Sequence, residues 1–127
     1  MNRTIIRYLL LGATLALGAN VLAQQTTERY VPIGMSPGIS GKYSAIGTIS
    51  AVNRLAGTMT VEGEAGNTRT FKVTDETRIW LDRSSWALTN LDGSYRDCVV
   101  GQRVEEMYGH DSESTAAWIK VEAEAPR

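Results

Sequence analysis

Cysteine and histidine are nearly missing from this chain of 127 residues, with one of each, Cys98 and His110. A single cysteine excludes an intramolecular disulfide, so strand pairing and packing must hold a small domain that others would staple. Structural zinc takes about four His, Cys or carboxylate ligands, and one His with one Cys does not supply them. A Ser-His-acid hydrolase needs a base within reach of its nucleophile. Here the sole His110 sits beside Asp111 in a polar stretch and reads as solvated, and no G-x-S-x-G elbow is present. Cys98 precedes Val99 and Val100 and reads as a buried, inert thiol, because apolar surroundings raise its pKa and weaken it as a nucleophile. Adjacent carboxylates do occur. Glu105 and Glu106, on a strand, would point to opposite faces and so cannot oppose each other across a cleft as glycosidase acids do. Asp75 and Glu76 read as a solvated turn, with Asp75 capping it. No catalytic residue and no cofactor are expected, and the chain reads as no enzyme.

Long apolar runs are also scarce. The one that exists, Tyr8 to Leu17, follows Arg3 and Arg7 and precedes Val21-Leu22-Ala23. A positive start, a short apolar centre and small residues at the cut describe a secretory signal peptide, residues 1–23, cleaved before Gln24. The run is shorter than the ~20 residues a membrane-spanning helix needs, and no cysteine follows the cut to carry a lipid. The expected location is the periplasm, with no stable membrane anchor after cleavage. Charge of either sign is weak: without Arg3 and Arg7 the balance is 11 bases against 14 acids. That argues for solubility and against nucleic acid as a partner.

What is present is alternation. In Asn67 to Asp82, Phe71 and Val73 alternate with Thr70, Lys72 and Thr74, and Ile79 and Leu81 alternate with Arg78, Trp80 and Asp82. A period of two means strand, and Asp75-Glu76-Thr77 between the runs means turn. Four further strands follow the same logic: Tyr43–Val52, Thr58–Glu62, Gln102–Tyr108 and Ala116–Ala123. Gly47 in the first of them marks a bend or bulge, and Gly66-Asn67 suits a hairpin turn. Ser84 or Ser85 could cap a short helical turn near Trp86, with Trp86, Leu88 and Leu91 plugging one end. Residues 24–42 carry Pro32, Pro37, Gly34, Gly38 and Gly41 without periodicity, and read as a flexible N-terminal arm. Residues 124–127 should fray. The expected fold is all-β: a small six-stranded antiparallel barrel over residues 43–123 with a short helical plug.

The segments Gly47-Thr48-Ile49-Ser50-Ala51-Val52, Thr77-Arg78-Ile79-Trp80-Leu81, Val100-Gly101-Gln102-Arg103-Val104-Glu105 and Ala117-Trp118-Ile119-Lys120-Val121 resemble a family of exported bacterial β-barrel domains. Its members are similar to the OB-fold and mostly lack an assigned activity. The resemblance spans about residues 43–123 and implies an OB-like barrel. Members usually carry an apolar residue where this chain has Glu106. The general layout also resembles small accessory proteins of type IV pilus biogenesis.

Two binding chemistries remain. Soft thioethers suit copper(I), and Met107 with His110, and Met59 on another strand, offer them, although Met59 reads more simply as core. The second signal is aromatic and cationic. If Ile79, Leu81, Ile119 and Val121 face inward, Trp80 and Trp118 face outward beside Arg78 and Lys120. Such a face is either covered, by basic stems or by the arm, or used for recognition, since Trp and Arg anchor interfaces. The expected partner-binding set is Arg78, Trp80, Trp118 and Lys120, with Tyr30 and Ile33 from the arm. The expected function is a non-catalytic periplasmic binding or adaptor module, accessory to envelope or pilus assembly and partnered by another envelope protein. The alternative is a barrel binding a small ligand or copper.

Overall fold

The computed structural model describes residues 27–109 and 112–125. The expected signal peptide, the first arm residues, His110, Asp111, Pro126 and Arg127 lie outside the described residues. Seven strands form one sheet: β1 (Ser44–Asn53), β2 (Thr58–Gly63), β3 (Thr68–Lys72), β4 (Arg78–Asp82), β5 (Leu91–Asp92), β6 (Arg103–Tyr108) and β7 (Ala116–Glu122). Their order across the sheet is β3-β2-β1-β6-β7-β4-β5. The fold is therefore all-β, but mixed rather than antiparallel, with seven strands rather than six. β4 runs parallel to β7, with Ile79 opposite Ile119 and Leu81 opposite Val121. The two-residue β5 adds an antiparallel edge to β4.

Local chemistry accounts for most of these elements. β1 and β2 join through Arg54–Gly57, where Ala56 N–H donates to Asn53 Oδ1 and Gly57 takes a φ of 68°. A bulge falls at Ser50, between Ile49 and Ala51, and not at Gly47. Gly47 has another role: a Cβ there would lie 2.1 Å from the Glu62 carbonyl oxygen. Only glycine allows β2 to press that closely on β1. The sheet curls without closing into a barrel. Lys72 at the end of β3 bridges Thr115, its N–H donating to the Ser114 carbonyl at 2.7 Å.

The inner face of this curl is the core: Ile49, Met59, Val61, Phe71, Ile79, Val104, Ile119 and Val121, with Cys98 and Ala116. Each large side chain buried there contributes about 1.5–3 kcal/mol. The expected plug differs. Ser84–Trp86 form a single 3-10 turn with no buried residue, and Trp86 and Leu88 are exposed. The turn ends on Ala87 at a φ of 54°, and Trp86 lies outside the core with its Nε1–H donating to the Ala123 carbonyl at 3.4 Å. A second 3-10 turn, Tyr95–Asp97, packs against the core through the half-buried Tyr95. A capping box of Ser94 and Asp97 sets it, the Tyr95 hydroxyl donates to the Thr58 carbonyl at 2.5 Å, and Arg54 stacks on its ring.

The arm is not a free spacer over its described residues. From residue 27 to residue 43 the chain folds into successive turns, with Met35 N–H donating to the Pro32 carbonyl and Tyr43 N–H to the Ile39 carbonyl. Gly34, Gly38 and Gly41 all have positive φ, which lets these turns form where an extended strand could not.

Candidate functional site

The outer face of β6, β7 and β4 carries Glu105, Lys120, Trp118, Trp80 and Asp82. Strand register puts Glu105 opposite Lys120 and Lys120 opposite Trp80. The two indoles lie 5.7 Å apart, inclined at 42°, and Lys120 Nζ sits 4.6 Å from the Trp118 ring centre. That places aromatic surface and positive charge together, as expected from the sequence. Exposure differs: Trp80, Trp118 and Lys120 are buried, because the arm lies over them.

Polar contacts seat the arm. Lys120 Nζ donates to Glu28 Oε2 at 2.9 Å and to Ser36 Oγ at 3.1 Å, and Ser36 Oγ in turn donates to the same Glu28 oxygen at 2.5 Å. The Ile33 N–H donates to Asp82 Oδ2 at 2.8 Å, and the Gly34 N–H to Glu105 Oε1 at 3.0 Å. Asp82 accepts from Ser84 N–H with its other oxygen, and Glu105 from Ser44 Oγ. Asn90 Nδ2 donates to the Arg29 carbonyl, and Arg29 pairs with Asp92. Ile33 is buried at the centre of the arm. A fully buried ammonium is tolerable only with a partner that balances it, and Glu28 is that partner. Glu28 thus ties the arm to Lys120, while Asp82 and Glu105 hold the arm by accepting its backbone N–H groups.

Of the six expected partner-binding residues, Trp80, Trp118, Lys120 and Ile33 are therefore inside, joining arm to sheet. Only Arg78 and Tyr30 reach solvent, with Tyr30 54% exposed. Met35 and Tyr43 on the arm are exposed as well. Sequence reasoning missed Glu28, Ser36, Asp82 and Glu105. Alternation puts Asp82 on the face of Trp80, which was the available signal; Glu105 opposite Lys120 follows from the register of β6 on β7.

Glu106, on the other side of β6, points into the fold and is wholly buried. Arg69 of β3 approaches it, Nε to Oε2 at 3.5 Å, while its guanidinium lies 3.7 Å from the centre of the Tyr108 ring. Both Glu106 oxygens, and Arg69 Nε and Nη2, are buried without a hydrogen-bond partner. Burial pushes the Glu106 carboxyl up to about 7, against a smaller opposing pull from Arg69. Glu105 and Glu106 serve opposite faces, as alternation requires. The Cys98 thiol is buried and pushed up to about 12, chiefly by burial and secondly by Asp97. Met59 lies in the core and Met107 stands opposite Trp118 on the outer face. Among the described residues no group of three His, Cys, Asp or Glu could hold a metal, while His110 lies outside them. Among the described residues no helix is long and apolar enough to cross a membrane.

Compared with protein-family models, with curated proteins and with solved structures, the chain finds no match.

Proposed function

We propose that this chain is a non-catalytic binding module of the bacterial envelope, exported by residues 1–23 and acting as an adaptor to another envelope protein. The observation that carries this reading is the seated arm. Ile33, Glu28 and Ser36 hold it against Trp80, Trp118 and Lys120, while Tyr30, Met35 and Tyr43 stand outward. A preordered loop loses less entropy on binding than a free one, and exposed tyrosines are favoured anchors of interfaces. In this reading the buried tryptophans hold the recognition surface in shape, and Tyr30, Met35 and Arg78 touch the partner. The buried Cys98 thiol and the opposed directions of Glu105 and Glu106 fit a module that performs no chemistry. The resemblance to exported OB-like domains, and more loosely to pilus accessory proteins, supplies the assignment to envelope or appendage assembly.

The test compares recovery of envelope proteins by the exported chain with recovery by a Tyr30→Ala, Met35→Ala variant, each alongside its thermal melt. Loss of one specific protein with an unchanged melt supports the reading. Equal recovery by both forms contradicts it.

A further inference from the structure

We propose that Arg69 and Glu106 form a pH-sensitive latch where the curled sheet comes back on itself, closed while Glu106 is protonated and loosened, by lifting of β3, once Glu106 ionises. The curl brings the edge strand β3 against Tyr108 of β6 and the segment before β7. Among the described residues one backbone hydrogen bond crosses this seam, from the Lys72 N–H to the Ser114 carbonyl at 2.7 Å. Arg69 adds the side-chain contact. Its guanidinium lies on the Tyr108 ring, and its Nε stands 3.5 Å from Glu106 Oε2.

Geometry makes this contact sensitive to charge. Arg69 Nε and Nη2 and both Glu106 oxygens are buried and face each other without a hydrogen bond. The guanidinium is laid flat on the ring instead of forking onto the carboxylate, so the pair forgoes the strength of a bidentate contact. Register leaves Glu106 no other partner. Across the inner face stand Ala45 of β1 and Ile119 of β7, and Val104 and Tyr108 flank it along β6. Glu105 and Lys120 belong to the opposite face. Among the described residues Arg69 is thus the charged group that meets it. A neutral carboxyl rests in these surroundings at little cost, whereas an ionised one carries a desolvation penalty that a single misaligned cation offsets only in part. Admitting water relieves that penalty. Local opening follows the element with the fewest ties, and that element is β3, paired with β2 along one side and held by one backbone bond on the other. Lifting it hydrates both charges while β1, β6 and β7 stay paired. Burial raises the Glu106 carboxyl from 4.5 to about 7, so the latch works close to neutral pH.

Amide hydrogen exchange of the full chain, corrected for the intrinsic pH dependence of exchange, reads the seam at the Lys72 N–H. With Glu106 titrating near its ordinary value when the seam is open and near 7 when it is closed, protection of Lys72 should fall by about tenfold from pH 6 to pH 8. The β6 and β7 amides should stay far better protected than Lys72 at both pH values. Glu106→Gln, which keeps the shape and removes the charge, should give Lys72 the same protection at pH 6 and pH 8. Equal protection of Lys72 at the two pH values in the wild type would overturn the latch. Exchange of Lys72 at the rate of the β6 and β7 amides would overturn it too, since the opening would then be global. A fall that persists in Glu106→Gln would assign the dependence to another group and remove Glu106 from the device.

Discussion

Glu106 is the residue whose chemistry is least settled by its surroundings. Its carboxyl is wholly buried, its oxygens accept no hydrogen bond, and burial lifts its pKa from an ordinary 4.5 to about 7. The folded protein therefore holds a proton that the unfolded chain releases between those two values. Stability from this group is fully present below pH 4.5 and is lost as pH rises through 7. A shift of this size corresponds to about 3 kcal/mol. The expected outcome is a melting temperature that falls between pH 5 and 8 in the wild type. Glu106→Gln should flatten this part of the profile and melt higher than the wild type at pH 8. Thermal melts across that range at constant ionic strength check it; an unchanged slope in the variant would mean that another group governs the dependence. Lys120 is the opposite case, equally buried but matched by Glu28 and Ser36.

Among the elements, the arm changes the meaning of the others. As a spacer it would leave two indoles exposed on β4 and β7, and their loss would cost binding rather than stability. Seated, it makes them interior. Trp80→Ala should cost about 3–5 kcal/mol, the usual range for an aromatic truncated inside a core. Glu28→Ala should cost a comparable amount, because it leaves the Lys120 ammonium buried without its counter-charge. Glu28→Ala combined with Lys120→Met should recover much of that loss. Denaturant melts of the two single variants and the double variant check this in one series. A Trp80→Ala melt matching the wild type would mean that the indole stands in solvent. The alternation that put Trp80 and Lys120 on one face was legible in Arg78–Asp82 and Ala116–Glu122. The arm was one of the covers the alternation left open for that face; which alternative applied, basic stems, the arm or a partner, was not legible. Proline and glycine at 32, 34, 37, 38 and 41 mark a segment that cannot be a strand, and they do so equally for a loose linker and for a chain of docked turns. The decisive contacts, Ile33 N–H on Asp82 and Gly34 N–H on Glu105, are made by backbone donors that every sequence possesses.

At the scale of the molecule, the all-β class and five of the seven strands were legible to within one residue, β2, β4 and β7 among them. β3 begins two residues ahead of the first residue that alternation marked, and β5, two residues long, is too short to alternate. The parallel pairing of β4 with β7 was not legible, because a strand has the same period of two whichever way its neighbour runs, and no hairpin joins this pair. Trp86 and Leu88 read as a plug from apolarity alone, whereas Tyr95, held by Thr58 and Arg54, packs against the core. The candidate surface was half legible. Its residue types were recognised on the correct strands, and its role changed once a cover of matching polarity proved to belong to the same chain. The whole is a curled sheet with two packed sides, one apolar and one built around a buried lysine, and the arm is the second layer over the latter. Amide hydrogen exchange at Ile33 and Gly34 in the full chain tests this most directly. Protection approaching that of the β6 and β7 amides is expected if their N–H groups rest on Asp82 and Glu105; exchange at the rate of an unstructured peptide would contradict the seated arm.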